Sequence, residues 1–400
     1  MTFSSVTIVG ASLAGLRAAE AFRREGFDGT ITLIGDEPHL PYDRPPLSKQ
    51  VLAGDWDMGR TALVTTEQLT ELDLDLRLGT RAASVDLATR LLAVDGGENV
   101  GVEALVIATG ARCRTLPGAS DVQGVHVLRG LDDCAALRAD LDASPSRVVV
   151  IGGGFIGAEV AATARTRGLA VTMIEAEATP MARALGPRIG QVCADMHRDH
   201  GVDVRTGIGV AGLEGGPRVA AVTLADGTRV ECDVVVVGIG VIPNTEWLEG
   251  SGLTLADGVV CDETGLAAPG VVAAGDVARF PSRRFGELMR LEHWENAVTQ
   301  GAHVARRLLV ADADAEVFDP VPWFWSDQYD RKIQLAGRVH ADDHVQVVVG
   351  SVEERRFVAL YERRGRLVGV VGMNRPRHVM RYRDLIDQGA SFQAALAAEI

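Results

Sequence analysis

Two stretches of the chain are built to one plan. Residues 7–22 read TIVGASLAGLRAAEAF and residues 148–161 read VVVIGGGFIGAEVA. Each runs from an apolar strand through a turn of small residues into a helix. Each is followed by a second apolar strand, at 30–36 (TITLIGD) and at 170–176 (AVTMIEA). This is the pattern of a βαβ unit, and a parallel sheet with helices is the architecture it allows. A chain with two such units has two candidate sites for a dinucleotide.

The second turn is Gly152-x-Gly154-x-x-Gly157. The first glycine permits the tight turn, the second lets backbone approach a pyrophosphate, and the third lets helix and strand pack closely. The helix N-terminus then offers unpaired N–H groups and a partial positive charge to the phosphates. Glu175 ends the next strand, where a carboxylate binds both ribose hydroxyls and repels a 2′-phosphate. That predicts NAD(H) in preference to NADP(H). The first turn is Gly10-x-Ser12-x-x-Gly15, with serine in the middle position, and its second strand ends at Asp36. Two further segments point to FAD there. ALVIATGAR (104–112) is a buried strand followed by a glycine turn, and GVVAAGDVAR (270–279) sets Asp276 after a strand and Gly275. An Asp at such a turn can bind a ribityl hydroxyl, although Asp turns are common without any ligand. One bound FAD and one exchangeable NADH give both turns a use, because hydride then passes from nicotinamide to flavin.

The rest of the pattern is α/β throughout. Helices are expected at about 13–25, up to 167, at 187–200 and 293–310. Strand-like pieces are expected at 76–95, 104–111, 203–209, 218–224 and 228–237. From about 317 the chain turns strand-like again and closes in helices near 380–398. The domain plan is split: 1–111 and 239–316 for FAD, 112–238 for NAD, and 317–400 as an α+β C-terminal domain.

Composition excludes several function classes. A net charge of −14 over 400 residues argues against nucleic acid as a partner. No apolar run approaches the ~20 residues of a membrane helix. The five cysteines, at 113, 134, 193, 232 and 261, show no zinc or Cys-x-x-Cys spacing. No Gly-x-Ser-x-Gly elbow marks a hydrolase. Met1 leads almost directly into a strand pattern, so no signal peptide is expected; the scattered thiols fit a cytoplasmic protein, and a monomer or homodimer is expected. Only Lys49 and Lys332 among 40 basic residues are lysines. Residues 351–383 hold nine Arg and three acids, either a solvated face or a dock for an acidic partner.

The motif order resembles the two-dinucleotide-binding-domain flavoproteins, with a glutathione-reductase-like architecture. PYDRPPLSK (41–49), GGGFIGAEVAA (152–162), VVVGIGVIPNTE (235–246), AAGDVAR (273–279), EHWENAVTQG (292–301) and PWFWSDQYDRKIQLAG (322–337) look like the branch of NADH-dependent ferredoxin reductases. These serve oxygenases and cytochrome P450 systems.

The resemblance implies a transient [2Fe–2S] ferredoxin as electron acceptor. Lys49 would stabilise reduced flavin by its charge, and Glu159 would orient the nicotinamide and pair with Lys49. Arg44 and Arg129 would contact FAD. Trp294, after Glu292 and His293, would lie by the flavin ring, and Trp323 and Trp325 would line its face toward the acceptor. Further cofactor contacts are implied for Ala14, Val85, Ala108, Thr109, Gly110, Ile156, Gly238, Ile239, Gly240 and Ala297. Disulphide-reducing relatives carry a cysteine where this chain has Pro45, Pro46, Leu47 and Ser48, so no dithiol relay is expected. An NADH oxidase or rubredoxin reductase, and a redox-sensing interaction protein of the apoptosis-inducing-factor kind, are the alternatives on the same scaffold.

Overall fold

The computed structural model describes residues 3–119 and 121–399. Residues 1–43, 61–112 and 242–322 form one compact unit; 44–60, 113–241 and 323–400 form another.

The first unit is organised by a six-stranded sheet. Its order is Leu266–Ala268, Val271–Ala273, Ala104–Ile107, Ser5–Val9, Thr30–Ile34 and Leu74–Arg77. All neighbours are parallel except the first pair. The period-two alternation of the strands splits the core into two layers. Val6, Ile8, Ile31, Leu33, Ala104 and Val106 meet the helices Leu13–Arg24 and Trp294–Leu309. Val9, Ile34, Leu105 and Ile107 face the other way, onto residues of two small sheets that include Val85, Leu92, Phe280 and Met289. The two helices approach closely: a Cβ at Gly301 would lie 2.4 Å from the Ala14 carbonyl oxygen.

In the second unit a five-stranded parallel sheet runs Asp203–Thr206, Ala170–Glu175, Arg147–Ile151, Val234–Val237 and Val125–His126. The expected strand over 228–237 is two strands, Arg229–Glu231 and Val234–Val237, in different sheets. Asp233 causes the break: its carboxylate turns back to accept the Ser146 and Arg147 backbone N–H groups. The helix expected from 187 begins at Ala182 and is interrupted at Gly186, which takes φ 71° before Pro187. A five-stranded antiparallel sheet follows, in the order Trp323–Gln328, Arg331–Gly337, Arg366–Met373, Arg356–Arg363 and His344–Ser351. The closing helices are Pro376–Asp387, with Pro at its first position where no N–H is needed, and Phe392–Ala397.

Segment 44–60 belongs with the second unit, though its sequence neighbours lie in the first. Named links hold it there. Arg44 donates to the Arg129 carbonyl at 2.7 Å, Cys134 Sγ to the Leu47 carbonyl at 3.2 Å, and Arg167 to the Leu52 carbonyl at 2.9 Å.

Candidate active site

In the second unit, helix Phe155–Thr166 starts directly after the turn at 152–154. Gly152 takes φ 100°, and a Cβ there would lie 2.2 Å from the Gly238 carbonyl oxygen. A Cβ at Gly157 would lie 2.1 Å from the Gly152 carbonyl oxygen. Both glycines are therefore demanded by the fold itself. Gly154 is different: the nearest atom to a Cβ there is the Gly238 oxygen at 4.0 Å. Space above Gly154 is open, and Ile156 and Ile239 beside it are 47 % and 37 % exposed. An open cradle of N–H groups rimmed by exposed aliphatic side chains fits a dinucleotide. Gly240, at φ 96°, completes the opposite loop.

Glu175 ends its strand as expected, and it also builds the turn. One oxygen accepts the Gly153 N–H at 2.7 Å and the other the Glu177 N–H at 2.8 Å. A carboxylate has lone pairs left for ribose hydroxyls after two such bonds.

Farther along the same helix, Glu159 is buried, with 3 % of its side chain exposed. Its Oε2 is 2.7 Å from Lys49 Nζ. Ser48 donates to the same oxygen at 2.5 Å, and Ser326 donates to Oε1 at 2.7 Å. Lys49 also donates to the Pro45 carbonyl at 2.9 Å. So one of the chain's two lysines and a buried glutamate form a desolvated ion pair. Such a pair is stable only when its remaining valences are filled, as here. The sequence points to Lys49 and Glu159; it does not single out Ser48 or Ser326. For Ser326 the available signal is Ser326-x-Gln328, two polar residues on one face of its strand.

Strand Trp323–Gln328 stacks the Trp323 and Trp325 rings at 5.3 Å. Its Phe324 meets Phe155 of the helix edge-on at 4.6 Å.

In the first unit, the turn has the same skeleton. Gly10 takes φ 119°, with its Cβ position 2.1 Å from the Ala108 carbonyl oxygen, and that of Gly15 lies 1.9 Å from the Gly10 oxygen. Ser12 caps the helix position without a side-chain cap bond to it. Gly275 and Asp276 form a short 3-10 turn whose glycine takes φ 77°, and a Cβ there would lie 3.1 Å from Ala14 Cβ. The Gly275 N–H donates to buried Gln300 at 2.9 Å. The same added Cβ would lie 3.9 Å from Ala297 Cβ. Thus Gly10, Ala14, Gly15, Ala108, Gly275, Asp276 and Ala297 are brought together.

Thr109 is spoken for: its hydroxyl donates to the Asn244 carbonyl at 2.8 Å, and Asn244 Nδ2 returns a bond to the Thr109 carbonyl at 2.9 Å. Gly110 accepts the Asn244 N–H. Asp36 is exposed just past its strand. Glu292 pairs with Arg290 at 2.8 Å, His293 opens helix Trp294–Leu309, and Trp294 Nε1 donates to Asp43 at 2.7 Å. Val85 has its side chain in the core, 5 % exposed.

All five cysteines are free. Burial pushes the Cys134 and Cys232 thiols up to about 11, and Cys193 and Cys261 up to about 12; it raises Cys113 as well. None is a thiolate near neutral pH, so none supplies a nucleophile for disulphide exchange.

The family model for the pyridine nucleotide-disulphide oxidoreductases matches residues 4–301, and that for the reductase C-terminal domain matches 323–400. This chain belongs to the pyridine nucleotide-disulphide oxidoreductase family. Among curated family members, rhodocoxin reductase of Rhodococcus erythropolis is 40 % identical over 387 residues, 96 % of this chain and 89 % of that protein. Putidaredoxin reductase of Pseudomonas putida is 36 % identical over 380 residues, 93 % of this chain and 89 % of its own. Among solved structures, the covalent putidaredoxin reductase–putidaredoxin complex matches at TM-score 0.94 and 34 % identity, covering 100 % of this chain and 97 % of that one. The ferredoxin reductase for the CYP199A2 system of Rhodopseudomonas palustris matches at 0.93 and 38 %, covering 99 % and 98 %. As a family member the protein is a flavoprotein oxidoreductase with FAD and NADH as its cofactors.

Proposed function

We propose that the protein is an NADH:ferredoxin oxidoreductase that feeds single electrons to a [2Fe–2S] ferredoxin of a P450 or ring-hydroxylating oxygenase. The observation that carries this reading is the Lys49–Glu159 pair, buried one helical turn inside the Gly152–Gly157 fingerprint. When bound, FAD accepts two electrons as hydride from NADH and releases them one at a time. The protein's residues bind and orient. Gly10, Ser12, Gly15, Asp36, Gly275 and Asp276 would hold FAD. Gly152, Gly154, Gly157, Ile156, Ile239 and Glu175 would hold NADH. Lys49 would supply a cation for the electron-rich ring, held in place by its ion pair with Glu159, which would also orient the nicotinamide. With every thiol protonated, no cysteine intervenes between hydride and acceptor, which disfavours a thiol-dependent oxidase.

The domain roles follow: 1–111 with 239–316 for FAD, 112–238 for NAD, and 317–400 as the C-terminal domain. An acidic ferredoxin would dock on basic surface. Several candidate arginines are neutralised within the protein: Arg283 by Glu263, Arg331 by Asp330, Arg355 by Asp199 and Arg363 by Asp343. Arg377 and Arg381 stay exposed on helix Pro376–Asp387, flanking Met380, which is 39 % exposed. We place the protein in the cytoplasm, where buried thiols stay reduced; no helix among the described residues is long and apolar enough to cross a membrane.

The test is anaerobic NADH-driven reduction of cytochrome c with and without a [2Fe–2S] ferredoxin, with NADPH as control donor. Strong dependence on ferredoxin and on NADH is expected. Rapid oxidation of NADH by oxygen, unaltered by ferredoxin, would overturn the reading in favour of an oxidase.

A further inference from the structure

Glu159 is the end of a longer chain of hydrogen bonds, and every link lies in the second unit. Ser326 Oγ lies 2.7 Å from Glu159 Oε1. Gln328 Nε2 lies 3.1 Å from Ser326 Oγ, and Gln328 Oε1 lies 3.1 Å from His197 Nε2. His197 Nδ1 is 2.9 Å from the Tyr329 hydroxyl. Ser326, Gln328 and His197 are 0 % exposed.

The direction of the whole chain follows from its last member. A carboxylate ion-paired with Lys49 can only accept, so Ser326 must give its single proton to Glu159. Ser326 Oγ can then only accept from Gln328, which fixes the amide with its nitrogen toward Ser326 and its oxygen toward His197. An amide oxygen accepts, so His197 carries its proton on Nε2. A neutral ring leaves Nδ1 bare, and Tyr329 O–H donates into it. The amide orientation and the tautomer are thus assigned by the network. Burial depresses His197 to about 4 and keeps the ring neutral, as this order requires.

Tyr329 is the first residue of the two-residue hairpin turn between Gln328 and Arg331, which accounts for its left-handed backbone at φ 56°. Its ring is held by a 3.6 Å stack on His200, with the planes 6° apart. Four donors in series, all pointing one way, reinforce one another in a low-dielectric interior.

We propose that Ser326, Gln328 and His197 are positioning residues that aim the Glu159 carboxylate at Lys49 and thereby set how fast NADH reduces the enzyme. This inference rests on the NADH oxidoreductase reading. None of the three touches Lys49; each acts through the next member of the chain.

The experiment uses the holoenzyme. Flavin reduction by NADH is followed in single turnover without ferredoxin, in wild type, Ser326→Ala, Ser326→Thr and Gln328→Met. Ser326→Ala is expected to slow reduction at saturating NADH by about tenfold while NADH affinity changes by less than about twofold, because the turn and Glu175 are untouched. Ser326→Thr keeps the hydroxyl and restores the rate to within about twofold, and Gln328→Met slows it by about threefold. Independently, ¹⁵N NMR of histidine-labelled protein reads the His197 tautomer, with its signal identified by loss in His197→Gln. A neutral ring protonated on Nε2 is expected, with the Nδ1 resonance moving in Tyr329→Phe. Reduction of Ser326→Ala at the wild-type rate, or a proton on Nδ1 of His197, overturns the proposal and leaves the oxidoreductase reading standing. Wild type that NADH does not reduce overturns both. If Ser326→Ala fails to retain flavin, Gln328→Met and the wild-type tautomer decide.

Discussion

The two glycine turns are the same device used in two units, and their differences separate what a fold needs from what a reaction needs. Gly10 and Gly152 share a positive φ and a strand-end carbonyl about where a Cβ would stand. Gly15 and Gly157 each leave room for the carbonyl of their own turn's first glycine. These positions are fixed by packing. The middle positions are not, since Gly154 has no atom nearer than 4.0 Å to a Cβ. Serine at 12 is therefore no breach of the fold. Two residues beyond the third glycine the helices diverge. Arg17 pairs with Glu20 on the surface at 2.6 Å, with about a quarter of each side chain exposed (27 % and 28 %). Glu159, at the corresponding place, is buried against Lys49. An exposed i,i+3 pair is worth ~0.3 kcal/mol. A buried one is costly to break and is kept for a purpose.

The largest effect that tests this comparison is steric. Gly157→Val or Gly15→Val drives a side chain into a carbonyl, and each is expected to cost about 3–5 kcal/mol in urea unfolding. Equal losses in both variants would confirm that the third glycine is a packing residue in either unit; an intact Gly15→Val protein would break the equivalence.

Next comes the acid limb of stability. Burial, the dominant cause, lowers His197 from 6.5 to about 4 in the folded state. Between those values the unfolded chain binds the extra proton, so stability falls as pH drops through the window. The difference amounts to about 3 kcal/mol. His197→Gln is expected to flatten the melting temperature between pH 6.5 and 4 relative to wild type; an unchanged slope would show that the ring titrates normally.

Glu175→Ala probes the acid of the second turn. It removes the carboxylate that disfavours a 2′-phosphate, so the ratio of kcat/KM for NADH over NADPH is expected to fall about tenfold. It also frees two backbone N–H groups, so the melting temperature should drop as well. Loss of stability with the ratio unchanged would make Glu175 a builder of the turn only.

Smallest are the changes at Ser12 and Arg17. Ser12→Gly and Arg17→Ala are each expected to leave stability within ~0.5 kcal/mol and flavin retention as in wild type, measured by flavin absorbance after gel filtration. Loss of flavin in Ser12→Gly would show that the hydroxyl itself meets the cofactor.

Much of this protein was open to reading in one dimension. Short-range periodicity and the steric limits on glycine fix both βαβ units and the acids at the strand ends, because those constraints act between residues near in sequence. The sequence also excluded a dithiol relay, since no cysteine stands beside Ser48. What it left dark is long-range. The split of 228–237 depended on Asp233 meeting the Ser146 and Arg147 N–H groups. Segment 44–60 joined the second unit through bonds to Arg129, Cys134 and Arg167. Ser48, Glu159, His197 and the strand that carries Ser326 and Gln328 lie far apart in sequence, and nothing in the sequence pairs them. Only tertiary structure could bring their polar atoms together, because a buried hydrogen bond is specified by three-dimensional proximity and the exclusion of water rather than by spacing along the chain.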